Sequence, residues 1–224
     1  MSYAESTVYL DASPGDAEIR TQLAALGRQL RPVVGNQWRW PLHARLSAHT
    51  RRRAQPGGPP SLVLSPAQRG YQYWPFFTVA PSNDGLFLGL ALREEAAAAK
   101  AALGSALMRR GAQWLLALRA APYVWEGFGA HSARVAVQDI GFEDLLALAD
   151  RLRDVKSAVL RVGLEVPFHL NAPLSMGPLA KRLHDDAGAD DGRLLAVSAQ
   201  VAADLAPLFE AAWVGGERTI TSHV

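Results

Sequence analysis

The chain has 224 residues, 49% of them hydrophobic, and a formal net charge of +2. That is the composition of a packed globular protein, long enough for one large domain or two small ones, and it excludes collagen-like and wholly disordered classes. The absence of cysteine removes disulfide scaffolds, thiolate zinc sites, iron–sulfur clusters and cysteine nucleophiles together. Lysine occurs only at Lys100, Lys156 and Lys181, so nearly all positive charge is arginine. The opening MSYAESTVYLD has no basic segment ahead of an apolar one, and no run reaches the roughly 18 to 20 apolar residues that span a bilayer. The expectation is a cytoplasmic protein with no membrane contact.

Along the chain, Ile19, Leu23, Leu26 and Leu30 recur at helical spacing after the start signal Ser13-Pro14-Gly15-Asp16. This predicts a helix from Asp16 to about Leu30, ended by Pro32 and Gly35. Residues 36–60 are polar and basic, with Trp38, Trp40, His43, His49 and the run Arg51-Arg52-Arg53. A short helix is expected over 41–52, before the loop Pro56-Gly57-Gly58-Pro59-Pro60.

Three apolar runs follow, SLVLS at 61–65, YWPFFTVA at 73–80 and LFLGLAL at 86–92. Their short connections predict an antiparallel meander, and Asn83-Asp84-Gly85 predicts a hairpin between the last two. Pro75 cannot donate to a ladder, which puts it at a strand start, an edge or a bulge. Residues 94–119 are rich in strong helix formers, and Gly111 is a candidate break. Phe142 to Lys156 has amphipathic spacing, 158–166 alternates as a fourth strand ended by Pro167, and 173–184 and 197–212 have helical character. The acidic stretch Asp185–Asp191 is expected as an exposed loop, and the tail from about Gly215 as frayed. Strands in a meander followed by helices predict a single α+β domain over 1–224. Its small, mainly antiparallel sheet, a three-strand meander plus a fourth strand, is covered by helices.

Two blocks resemble a known family. One runs from His49-Thr50-Arg51-Arg52-Arg53-Ala54-Gln55-Pro56 into Pro60-Ser61-Leu62-Val63-Leu64-Ser65-Pro66-Ala67-Gln68-Arg69-Gly70-Tyr71-Gln72-Tyr73-Trp74-Pro75-Phe76-Phe77. The other runs from Gly141-Phe142-Glu143 to Leu148, through Arg151-Leu152-Arg153-Asp154-Val155-Lys156-Ser157-Ala158, to Gly163-Leu164-Glu165-Val166-Pro167. Together these are similar to the YktB-like family of uncharacterised bacterial proteins. The chain departs from that pattern at Phe76, where the family implies histidine, and at Gln72, where it implies lysine. The resemblance implies a compact α+β fold in a soluble bacterial protein, and it carries no reaction.

The segment from His43 to Arg53 concentrates the usable chemistry. On a helix, Arg45 would neighbour His49 and His49 would neighbour Arg53, and a set of like charges calls for an anion. Arginine binds phosphate or carboxylate in a planar, bidentate way. Arg69, in the turn after the first strand, is placed to converge with Arg51 and Arg52, while Tyr71, Tyr73 and Trp74, with Trp38 and Trp40, offer a stacking wall. His49 is the candidate catalytic acid–base, since histidine titrates near neutrality. The bland alternative is a solvated basic helix paired to carboxylates, with the rings in the core.

Metal is not expected: His43 and His49 lack the helical i, i+4 spacing and an acidic neighbour. His131 follows an aromatic segment containing Tyr123 and Trp125 and is a candidate to face a cavity; His169, His184 and His223 read as structural or solvated. P-loop, dinucleotide and nucleophile-elbow motifs are missing, and the cofactor is unknown. The leading expectation is recognition of an anionic, phosphate- or carboxylate-bearing small molecule, with or without turnover. The alternatives are a nucleic-acid-binding regulator or toxin-like protein using the same basic cluster, and a module that meets an acidic protein partner. Oligomeric state is left open.

Overall fold

A computed structural model describes residues 14–47, 60–82, 85–127, 134–154, 159–167 and 190–221. Its elements are α1 (Pro14–Trp38), β1 (His43–Ser47), β2 (Ser61–Ser65), a 3-10 turn (Tyr71–Tyr73), β3 (Phe76–Pro81), β4 (Gly85–Leu92) and α2 (Ala97–Leu118). Then come β5 (Tyr123–Glu126), β6 (Arg134–Ala136), a second 3-10 turn (Val137–Asp139), α3 (Phe142–Asp154), β7 (Leu160–Pro167) and α4 (Asp190–Thr221).

The fold is α+β, and the sheet is larger than the expected four strands. Seven strands lie in the order β1-β2-β3-β4-β7-β5-β6, and every neighbouring pair is antiparallel. The meander forms as expected, with Pro75 just ahead of β3, where its missing donor disturbs no ladder. β7 pairs along its full length with β4, Leu92 opposite Leu160 and Gly85 opposite Pro167.

Period-2 alternation sorts the strands onto two faces. Leu62 and Leu64, Phe77 and Val79, Leu86 to Leu92 at alternate positions, Tyr123 and Trp125, and Leu160 and Val162 join the helices in one core. The opposite face carries Arg45, Val63, Thr78, Gly89, Gly163, Val124 and Ala136 in one continuous row across all seven strands. On that face Val63, Phe76 and Ala91 form a smaller apolar cluster.

Several expectations are corrected. α1 does not end at Pro32 but continues to Trp38. Leu30, Val34 and Trp38 extend the buried stripe at four-residue steps, while Pro32 and Arg28 are exposed, so the carbonyl that loses its donor faces water. Residues 43–47 are not part of a helix over 41–52 but edge strand β1, fixed by pairing Leu46 with Leu62 and Ala44 with Leu64 against α1. Gly111 does not divide α2; a Cβ there would lie 2.7 Å from Leu145 Cδ2, so the glycine seats α3 against an unbroken helix. The aromatic segment at Tyr123–Glu126 is a strand, with Tyr123 and Trp125 buried. Asp190 and Asp191 open α4 rather than a loop, and that helix runs past Gly215 to Thr221. The expected helix at 173–184, the rest of the acidic stretch, and His131, His169, His184 and His223 lie outside the described residues.

Candidate functional site

The candidate site is built where β1 meets the turn that follows β2. Ser65 Oγ accepts from the Ala67 N–H at 3.2 Å, and Gly70 takes a left-handed conformation at φ 65°, so the chain reverses tightly into the 3-10 turn. From edge strand β1, the Arg45 guanidinium donates to the Gln68 carbonyl in this reversal. Arg45 is thereby tied to the residue next to Arg69. Arg69 itself is exposed, and so is Tyr73, at 51%.

Tyr71 turns to the sheet face opposite the main core. Its ring meets Phe76 edge-on at 5.5 Å, and the Arg93 guanidinium, just past β4, lies 5.2 Å from its centroid. Such a cation–π contact contributes about 0.5–1 kcal/mol at an exposed position and leaves most of the guanidinium's donors free. Among the described residues, Arg45, Arg69 and Arg93 form no ion pair.

Trp74 does not join them. It packs with the main core, 4.7 Å from the Trp213 ring, beside Trp40 at 5.5 Å from the same ring. Phe209 and Trp38 continue this stack, and Trp38 Nε1 donates to the Ala202 carbonyl at 2.9 Å. The expected single stacking wall is therefore split between the two faces of the sheet, since the 3-10 turn sends Tyr71 to one side and Trp74 to the other. His49, Arg51 and Arg52 lie outside the described residues. Sequence reasoning missed Arg93; an arginine directly after a strand, two residues beyond the Ala91 that pairs with Phe76, is a signal visible only once that register is known.

Further along the same face, charges alternate across the strands. Arg161 of β7 stands opposite Glu126 of β5, which stands opposite Arg134 of β6. Arg161 approaches Glu126 at 3.6 Å and lies 5.9 Å from the Phe87 ring centroid, while Arg134 reaches Glu165 at 2.5 Å. These arginines are neutralised within the fold, unlike the three around Tyr71. Among the described residues, no group of three histidine, aspartate or glutamate side chains is placed to hold a metal ion.

No curated protein matches the chain. Residues 16–176 match the family described as Domain of unknown function (DUF1054), a span that begins within α1 and passes the end of β7, leaving α4 beyond it. With well over half of its length matched, the chain belongs to that family of uncharacterised domains, Domain of unknown function (DUF1054).

Proposed function

We propose that the protein binds an anionic small molecule, bearing phosphate or carboxylate, at the surface formed by Arg45, Arg69, Tyr71 and Arg93. The observation that carries this reading is the tie from Arg45 to the Gln68 carbonyl, which anchors a guanidinium from one piece of chain beside Arg69 in another. Arg93 over the Tyr71 ring adds a third cation backed by an aromatic face. Among the described residues none of these three cations forms an ion pair, which leaves their donors open to an anion. Arginine's planar donors suit oxyanions, and Tyr73, half exposed, offers a flat apolar contact.

Arg51 and Arg52 complete the basic set in this reading, and His49 supplies proton transfer if binding leads to turnover. The YktB-like resemblance of the segment from His49 to Phe77 supports reading the protein as a soluble bacterial one. The test is thermal stabilisation across a library of phosphates and carboxylates. A ligand that raises Tm for the native protein, and fails to do so for Arg69→Ala and Arg93→Ala, supports the proposal. No response from the native protein overturns it. A response confined to single-stranded or duplex oligonucleotides, falling steeply with salt, would replace it with nucleic-acid binding.

A further inference from the structure

His43 stands on the same side of edge strand β1 as Arg45, two residues ahead of it. β1 pairs with β2 without interruption, His43 opposite Ser65 and Arg45 opposite Val63, so period-2 alternation turns both side chains to the face away from the main core. Ala44, between them, turns the other way, to α1: a Cβ on Gly27 of that helix would lie 3.2 Å from Ala44 Cβ. Further strands extend the row. With Leu64 opposite Phe77, the residue across from Ser65 is Phe76, which in turn stands opposite Ala91. The Tyr71 ring packs edge-on against Phe76 and lies under the Arg93 guanidinium. His43 and Arg93 thus belong to one end of the sheet, with Ser65 and Phe76 between them.

The surroundings leave the imidazole available. Ser65 and Val63 are short and buried, so they form a floor beside His43 and Arg45, and His43 itself is partly exposed. Among the described residues it makes no hydrogen bond or ion pair. The charged groups on its side are cations: Arg45 on its own strand, Arg69 in the turn to which Arg45 is tied, and Arg93 past β4. β2 presents only uncharged side chains there, and α1 packs from the opposite face, which puts the arginines of that helix across the sheet. The carboxylates of the same face, Glu165 and Glu126, sit on β7 and β5, at least four strands or roughly 19 Å from β1, and already meet Arg134 and Arg161. Glu94 and Glu95, which follow Arg93, act on Lys100 of α2.

We infer that His43 is a fourth donor of the anion site and makes its affinity pH-dependent, greatest when the imidazole is protonated; this rests on the anion reading of Arg45, Arg69 and Arg93. Histidine changes charge near neutrality, and a bound anion favours its charged form. Reciprocity then requires the anion to bind more tightly as pH falls through that range. The probes are inorganic sulfate and benzoate, whose charges stay constant between about pH 8 and about pH 5.5, so that any change belongs to the protein. Titration calorimetry of the full chain should show affinity rising about fivefold to tenfold over that interval. His43→Gln should bind with the weaker, high-pH affinity throughout, and His43→Lys, which carries a fixed charge, with the tighter affinity throughout. Circular dichroism melts at both pH values verify that the variants fold. Native binding that ignores pH, or a dependence that survives in His43→Gln or disappears in His49→Gln, overturns the inference and leaves the anion reading standing. No binding of either probe at either pH overturns both.

Discussion

Tyr123, buried at the start of β5, donates its hydroxyl to Asp204 Oδ2 of α4 at 2.7 Å, and Gln200 Nε2 donates to the other oxygen of the same carboxylate at 2.7 Å. This short relay fastens the sheet to the helix that crosses it. Burial, followed by the bond to Asp204 and its charge, pushes the Tyr123 pKa well above its ordinary value of 10.0.

Tyr123→Phe should therefore lower the unfolding free energy by about 1.5–3 kcal/mol, the range for a hydrogen bond to a charged group, measured by urea denaturation at neutral pH. The pH dependence has a defined sign. With the folded pKa raised, the contribution of Tyr123 is fully present below pH 10 and is lost as pH rises further, because only the unfolded chain ionises there. Above pH 10, the stability of Tyr123→Phe should fall less steeply than that of the native protein, and parallel slopes would refute the assignment.

Gly163 and Gly89 stand opposite each other on β7 and β4. A Cβ on Gly163 would meet the Leu88 carbonyl and lie 2.7 Å from Phe87 Cζ, so the bare glycine is what lets the Phe87 ring lie across the sheet. Gly163→Ala should cost about 1–3 kcal/mol by overpacking, read as a lower urea midpoint with an unchanged m-value.

Tyr71 and Trp74, three positions apart, should separate by function. Trp74→Ala opens the core beside Trp213 and should cost about 3–5 kcal/mol with little change in the anion-induced Tm shift. Tyr71→Ala should weaken that shift, because the ring backing Arg93 is gone. Differential scanning fluorimetry with and without ligand checks both.

The Arg134–Glu165 pair, with side chains 41% and 19% exposed, should contribute little. Glu165→Gln is expected to change stability by less than about 1 kcal/mol, and by less still at high salt. A larger loss in chemical denaturation would mean that the alternating charges on this face act as one network.

The β2–β4 meander was readable because turn residues separate apolar runs of strand length, and β7 because its apolar positions alternate. α3 was readable from its amphipathic spacing. β1 was not: HARLS carries two arginine-or-histidine positions and one leucine, too little pattern to outweigh helical propensity, and only pairing with the fully buried β2 makes it a strand. β5 and β6, four and three residues long, are too short for periodicity to register. Of the candidate site, the turn that carries Arg69 was legible from Pro66 to Gly70, whereas Trp74 was misplaced because the direction of a ring leaving a 3-10 turn depends on which face the neighbouring helices fill.

Local sequence alone determined the central antiparallel strands, the helical character of the alanine-rich stretch and the exclusion of thiol chemistry, since each follows from propensity or from residue type at short range. The tertiary structure decided the width of the sheet, the conversion of a basic segment into an edge strand, and the partition of the aromatics between two faces. Those outcomes rest on contacts between residues far apart in the chain, such as Arg45 with Gln68 and Trp74 with Trp213, whose energies are settled only when the layers pack.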